Sequence, residues 1–341
     1  MAANSAIEWT DATWNCLAGC QAVSPGCTHC YAATMSRRLE SMGQADYSGL
    51  TTAKHFNGIV RPLPHKLDIP LRHRKPTRFF VNSMSDLFHE NVPDEFIRRV
   101  FAVMSFAGQH TFQVLTKRAK RMHDWFAKDE NCLSACQAEY AVQHDYPRTP
   151  TGKSRIRNGR AINGTHKGLG DGNYWPLPNV WLGVSCEDQK RADERIPWLL
   201  KTKAAVRFLS CEPLLGPIKL DLLRLDSGNP AHCACGHGHG FTRCQNTGGI
   251  AKGCHIDGCN CSQFYRRPGS WKGIDWAIVG GESGPQARPM HPDWARSLRD
   301  QCQAAGVSFF MKQMDKRQPI PGDLLIREFP NEFPRTEAAS Q

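Results

Sequence analysis

Arg78-Phe79-Phe80-Val81-Asn82, then residues 93–107, then Thr111-Phe112-Gln113-Val114-Leu115-Thr116 make one strand–helix–strand unit, and its reading decides the fold. The two short apolar runs suit buried strands, and the segment between them has apolar residues at helical spacing behind a proline placed for a helix start. Strands joined through a helix run parallel. The same rhythm continues on both sides. Residues 7–15 read as the first strand and 31–42 as a helix ending at Gly43, and a polar, Pro-containing connection covers 43–76. Helical residues follow the third strand to Lys128. Residues 180–185 read as the fourth strand, followed by a helix over 188–203, interrupted or bent at Pro197. Residues 206–210 and 276–280 are the fifth and sixth strands, and a helix over 292–305 leads into the last, 307–311. This predicts an α/β fold, a partial or closed parallel (β/α) barrel over 1–320, with an extended tail over 321–341.

Two long segments break the rhythm and read as insertions over one face: 129–175, basic and Gly-rich, and 221–272, rich in Cys and His. At 341 residues, 40% hydrophobic and 22% charged, the chain can bury one barrel-sized core. Its N-terminal residues have no basic segment followed by an apolar run, and nowhere do about 18 apolar residues occur together, which predicts a cytoplasmic protein without membrane spans. In a reducing compartment the fifteen cysteines read as metal ligands, catalytic thiols or buried apolar residues rather than a disulfide framework. The net charge of +11 is concentrated. Residues 54–78 hold seven Lys or Arg against Asp68 alone, and residues 148–167 hold six with no acid. Such segments suit phosphate, including nucleic acid, or are solvated loops; Lys117, Arg118, Lys120 and Arg121 form a third cluster.

The chemistry gathers in Cys16-Leu17-Ala18-Gly19-Cys20-Gln21-Ala22-Val23-Ser24-Pro25-Gly26-Cys27-Thr28-His29-Cys30-Tyr31, with four thiols within fifteen residues. Gly19, Pro25 and Gly26 make it a loop, and it opens onto a helix N-terminus, whose free N–H groups suit an anionic centre such as a thiolate-ligated metal. Polar residues also follow each apolar strand: Asn82, Ser83, Ser85 and Asp86; Thr116, Lys117 and Arg118; Ser185, Cys186 and Glu187; Ser210, Cys211 and Glu212; Gly280, Gly281, Glu282 and Ser283. In a parallel barrel these ends share one rim, so Asp86, Lys117, Glu187, Glu212 and Glu282 are candidate catalytic residues converging with the cysteine loop.

A three-cysteine loop after the first strand of a parallel barrel resembles the radical S-adenosylmethionine enzymes, although Cys20, Cys27 and Cys30 give C-x6-C-x2-C instead of the usual C-x3-C-x2-C. Closer still is the similarity to a phage and prophage family of unassigned function, regarded as radical-SAM-like. It is carried by Ile7-Glu8-Trp9-Thr10, Ser24-Pro25-Gly26-Cys27, Ser210-Cys211-Glu212-Pro213-Leu214 and Gly280-Gly281-Glu282-Ser283-Gly284. The resemblance implies a 4Fe-4S cluster on Cys20, Cys27 and Cys30, with Cys16 spare and one iron open to S-adenosylmethionine, whose reduction yields a 5'-deoxyadenosyl radical. It also implies an electron donor such as flavodoxin or ferredoxin, and a phage- or prophage-encoded protein working in the host cytoplasm. His29 occupies the place where an aromatic residue meets the adenine. Ser83, Ser85, Asp86 and Ser185 complete the cofactor-binding set, with Asp86 for the ammonium group. Gly280-Gly281-Glu282 resembles the Gly-Gly-Glu element of these enzymes but follows the sixth strand, so its role is not carried over. A zinc knot is the alternative for the same thiols.

The later insertion holds Cys233, Cys235, Cys244, Cys254, Cys259 and Cys261, interleaved with His232, His237, His239 and His255. With few apolar residues it can fold around metal; zinc leads, with an auxiliary iron–sulfur cluster second. Cys132 and Cys136 are weaker metal candidates, while Cys186, Cys211 and Cys302 read as packing, and Trp271 and Trp276 as cover for the barrel. Two classes of function follow: a radical-SAM enzyme modifying or repairing a nucleic acid or nucleotide, with or without a separate partner protein, and a nucleic-acid-binding zinc protein without radical chemistry.

Overall fold

Seven apolar runs lie side by side in one parallel sheet: β1 (Ala12–Trp14), β2 (Arg78–Val81), β3 (Thr111–Thr116), β4 (Val180–Ser185), β5 (Val206–Cys211), β6 (Trp276–Gly280) and β7 (Ser308–Gln313). They are ordered as they occur in the chain, and β1 and β7 do not pair, so the sheet is an open half-barrel. The helices are α1 (Tyr31–Ser41), α2 (Asp94–Phe106), α3 (Ala119–Phe126), α4 (Gln189–Lys201) and α5 (Pro292–Ala304). This computed structural model describes residues 7–128, 175–220, 273–284, 286–315 and 318–330, with Ser5, Asn131 and Cys136.

The strands are apolar on both faces because both are covered. On the outer face Phe79, Val81, Phe112, Val114, Leu182, Val184, Leu209, Ala277, Val279, Phe309 and Met311 pack with residues of the helices, including Phe101, Leu199 and Leu298. The alternate residues, Phe80, Trp181, Phe208, Trp276, Ile278 and Phe310, turn inward and close the amino-terminal end of the barrel together with Trp9. Trp276 is the hub, its ring 5.8 Å from Trp181, 5.8 Å from Phe208 and 6.0 Å from Phe310. It therefore fills the interior rather than covering the barrel.

Several boundaries differ from the sequence reading. The first strand is only three residues long, because Trp9 leaves the strand line to pack 4.6 Å from Phe80. The fourth helix runs through Pro197. The connection over 43–76 is not a bare loop: Leu17–Ala18 pairs with Arg61–Pro62, Thr51–Thr52 pairs with His55–Phe56, and Ala18, Ala32, Tyr47, Leu50, Leu63 and Met84 form a separate small core beneath the cysteine loop. The start of the tail is docked on the sheet. A turn at Gly322–Leu324 sends the chain back along β7, where Met311 N–H donates to Ile326 O at 2.8 Å and Glu328 N–H to Phe309 O at 3.0 Å. Apart from Asn131, Cys136 and Trp175, both insertions lie outside the described residues, and with them the basic residues of 148–167 and the six zinc-candidate cysteines. Among the described residues no helix is long and apolar enough to cross a membrane.

Candidate functional site

The inward columns that start in the aromatic floor end in charge. Trp181, Gly183 and Ser185 lead to Glu187; Phe208 and Ser210 lead to Glu212; Trp276, Ile278 and Gly280 lead to Glu282; Gln113 and Leu115 lead to Lys117; Phe310 leads to Lys312. Because side chains alternate along a strand, the pleat that buries the aromatic rings also aims these charges into one bowl at the carboxyl rim.

Over that rim lies the cysteine loop, pinned from three strand ends. From beyond β3, Arg118 donates to Gln21 O at 3.4 Å and reaches the Cys20 sulfur at 3.9 Å. From beyond β4, Glu187 accepts from Ser24 Oγ at 2.6 Å, and its carboxylate presses on Gly26, where a Cβ would stand 2.5 Å from Glu187 Cγ. From beyond β6, Glu282 meets His29 Nδ1 at 2.9 Å and holds Arg288, which donates to Pro25 O at 2.9 Å. Ser83 and Ser85 anchor the loop entrance: their hydroxyls donate to Asn15 Oδ1 at 3.1 Å and to Leu17 O at 3.0 Å. Ser185, also on an inward column, is buried, and its carbonyl accepts from Arg195 at 2.8 Å.

The acids behind these contacts are closed by the protein's own donors. Asp86 accepts from Thr116 Oγ1 at 2.7 Å, Phe88 N at 3.0 Å, Lys117 N at 3.0 Å and Arg118 at 3.1 Å. Glu187, fully buried, lies 3.1 Å from Lys117 Nζ and 2.9 Å from Arg195. Burial works against its charge, but Lys117 and then Arg195 outweigh it and hold the carboxyl at about 2. At Lys117 burial opposes the ammonium, while Glu187 and then Cys27 keep its pKa above the ordinary lysine value. Glu282 is held at about 2 against its burial by the hydrogen bonds from Arg288 and His29.

Cys20, Cys27 and Cys30 are free and half-buried. Burial, then the Asp86 charge, pushes Cys20 up to about 12, with Arg118 opposing; Cys30 is raised by burial, against the backbone of Ala32 and Ala33 in the first turn of α1. Cys30 is within electrostatic reach of both Cys20 and Cys27. The donor set suits a thiolate-bound metal in its chemistry: three soft ligands on one loop, with the cations Arg118 and Lys117 beside the negative charge they would carry. Among the described residues no three Cys, His, Asp or Glu side chains already stand together at metal-binding separations, so the loop presents its thiols without forming a closed cage. Cys16 stands apart, fully buried with its thiol 3.5 Å from Asn82 Oδ1 and pushed up to about 12 by burial. Cys136, Cys186, Cys211 and Cys302 are buried in the outer core.

Of the seven basic residues in 54–78, four work within the fold. Arg61 donates to Ala45 O, Asp46 O and Ser48 O; Lys66 pairs with Asp46, Arg72 with Asp68, and Arg78 with Asp11. Lys54, Arg74 and Lys75 are exposed.

Sequence reasoning placed Arg118 only in a basic cluster at a strand end and assigned no role to Arg195, Arg288 or Lys312. Lys312 was findable, since it lies two residues beyond Phe310 on an inward column. Arg195 and Arg288 were not, because nothing in the spacing from α4 or from the loop after β6 marks their partners.

The fold and site define a class: a parallel α/β half-barrel with a thiol-bearing loop clamped over a charged carboxyl rim. Residues 4–322 match the family described as "Protein of unknown function (DUF5131)", and the chain belongs to that family. No curated protein and no solved structure matches it.

Proposed function

We propose that the chain is a radical S-adenosylmethionine enzyme acting on a nucleic acid or nucleotide. Cys20, Cys27 and Cys30 would hold a 4Fe-4S cluster, which supplies one-electron cleavage of bound S-adenosylmethionine to a 5'-deoxyadenosyl radical. One observation carries the reading: three free, half-buried thiols lie on a loop clamped over the carboxyl rim of a parallel half-barrel, beside Arg118 and Lys117. A structural zinc knot has no need of a clamp built from three strand ends.

The chain's own residues divide the work. Glu187, Glu282 and Asp86, through Arg118, hold the loop over the bowl, which makes them positioning residues. His29 is tied to Glu282 beside the thiols. Glu212 and Lys312 stay accessible from the bowl and belong to the substrate side.

Anaerobic purification followed by iron, sulfide and zinc analysis tests the metal, and dithionite reduction with S-adenosylmethionine tests the chemistry. The expected result is iron and sulfide lost in Cys27→Ala, with 5'-deoxyadenosine and methionine released by the parent protein. Zinc alone on the N-terminal loop, or no 5'-deoxyadenosine after full reconstitution, overturns the reading.

A further inference from the structure

The rim acids are not in the same state. Asp86, Glu187 and Glu282 have both oxygens taken, whereas Glu212 keeps 12% of its side chain exposed. Its Oε1 lies 2.8 Å from Lys312 Nζ, yet among the described residues this buried atom accepts no hydrogen bond of good geometry, and Oε2 takes only a 3.4 Å contact from Ser210 Oγ. Lys312, 23% exposed, has ammonium hydrogens to spare. The two side chains come from beyond β5 and from β7, and they meet across β6 at Gly280, where a Cβ would come within 2.9 Å of Glu212 Oε1. The missing side chain at Gly280 leaves them room. Tyr31, 46% exposed at the start of α1, has its hydroxyl fixed by donation to Ser83 O at 2.7 Å and is within electrostatic reach of Glu212.

We propose that Glu212, Lys312 and Tyr31 form a nucleobase subsite that reads the hydrogen-bonding edge of one base. The Watson–Crick edge of every nucleobase sets an N–H donor next to an acceptor, and here an acceptor and a donor stand side by side to match it. Glu212 takes the N–H, Lys312 donates to the neighbouring oxygen or nitrogen, and the exposed ring of Tyr31 offers a stacking face. This rests on the nucleic-acid part of the function proposed above but not on its radical chemistry.

Full-length protein, purified anaerobically, is titrated by calorimetry with UMP, GMP, AMP and CMP, with 3-methyl-UMP and 1-methyl-GMP, and with short single-stranded homopolymers of the same bases. At least one mononucleotide should bind, and UMP or GMP should bind at least about tenfold more tightly than its edge-methylated form, since the methyl group removes the N–H that Glu212 would accept and crowds that edge. Glu212→Gln and Lys312→Met should each weaken binding of the parent nucleotide, and Glu212→Gln, which exchanges a charged acceptor for a neutral one, should also reduce that discrimination. Tyr31→Leu, at an exposed position, should weaken binding about fivefold or more through lost stacking. Tighter binding of homopolymer than of mononucleotide identifies the base within a strand as the source; the reverse identifies the free nucleotide. The subsite is overturned if no mononucleotide binds, if the methylated forms bind as well as their parents, or if Glu212→Gln and Lys312→Met keep affinity and discrimination while lowering only the melting temperature. Metal analysis of the same preparation separates this outcome from the other: base recognition with a zinc-only loop keeps the subsite and removes the radical chemistry.

Discussion

The two ends of the barrel interior are built on the same strands and could hardly differ more. At the amino-terminal end the inward positions are Trp9, Phe80, Trp181, Phe208, Trp276 and Phe310, in ring contact. Two to six residues further along the same columns stand Glu187, Glu212, Glu282 and Lys312, with Lys117 beside them at the end of the β3 column. One end gains stability from buried apolar area, and the other holds charges in place by pairing them. The contrast implies that floor and rim can be damaged separately.

Trp276→Ala tests the floor and should have the largest effect, about 3–5 kcal/mol of stability by denaturant titration, because it empties the hub of the aromatic cluster. Metal bound per folded molecule should not change; if it does, the two ends are not independent. At the rim, Glu187→Gln leaves Lys117 and Arg195 without their counter-charge and should cost about 3 kcal/mol. It should also loosen the loop at Ser24 and, under the function proposed above, lower iron occupancy.

The acid limb of the stability profile sharpens the same point. Glu187 and Glu282 titrate at about 2 in the folded chain against an ordinary value of 4.5. Between those values the unfolded chain binds more protons, so their stabilisation is complete above pH 4.5 and drains away as the pH falls toward 2. Glu187→Gln should flatten that slope, whereas Trp276→Ala should lower the whole curve and keep its shape. Gly26→Ala should be milder, about 1–3 kcal/mol, since its new methyl meets the Glu187 side chain. Loss of iron without loss of stability in that variant would mean that loop position, rather than rim pairing, governs the proposed metal site.

What could be read in advance follows the same division. β3, β4 and β6 match the sequence reading residue for residue, because a strand buried on both faces is written as a short apolar run between polar ends. β1 was overdrawn because Trp9 looks like a strand residue until it is seen packing across the barrel against Phe80. The convergence of Lys117 with Glu187 was legible from strand ends alone. The duties of the acids were not, since they depend on cations such as Arg195 and Arg288 brought in by tertiary structure. The basic segment over 54–78 shows the same limit: charge density in a sequence does not reveal that Arg61 is occupied by three carbonyls of its own fold.

The returning segment along β7 has a consequence for where the molecule can be cut. An open half-barrel leaves the outer backbone edge of its last strand ready to pair with another chain, and an aromatic-rich strand such as Ser308–Gln313 is a hazard when bared. Residues 326–328 occupy that edge through Met311 and Phe309, and Arg327 bridges to Phe310. Shortening the chain to the end of the family match at residue 322 would strip off this cover and invite edge-to-edge association, so a soluble fragment has to extend past Phe329.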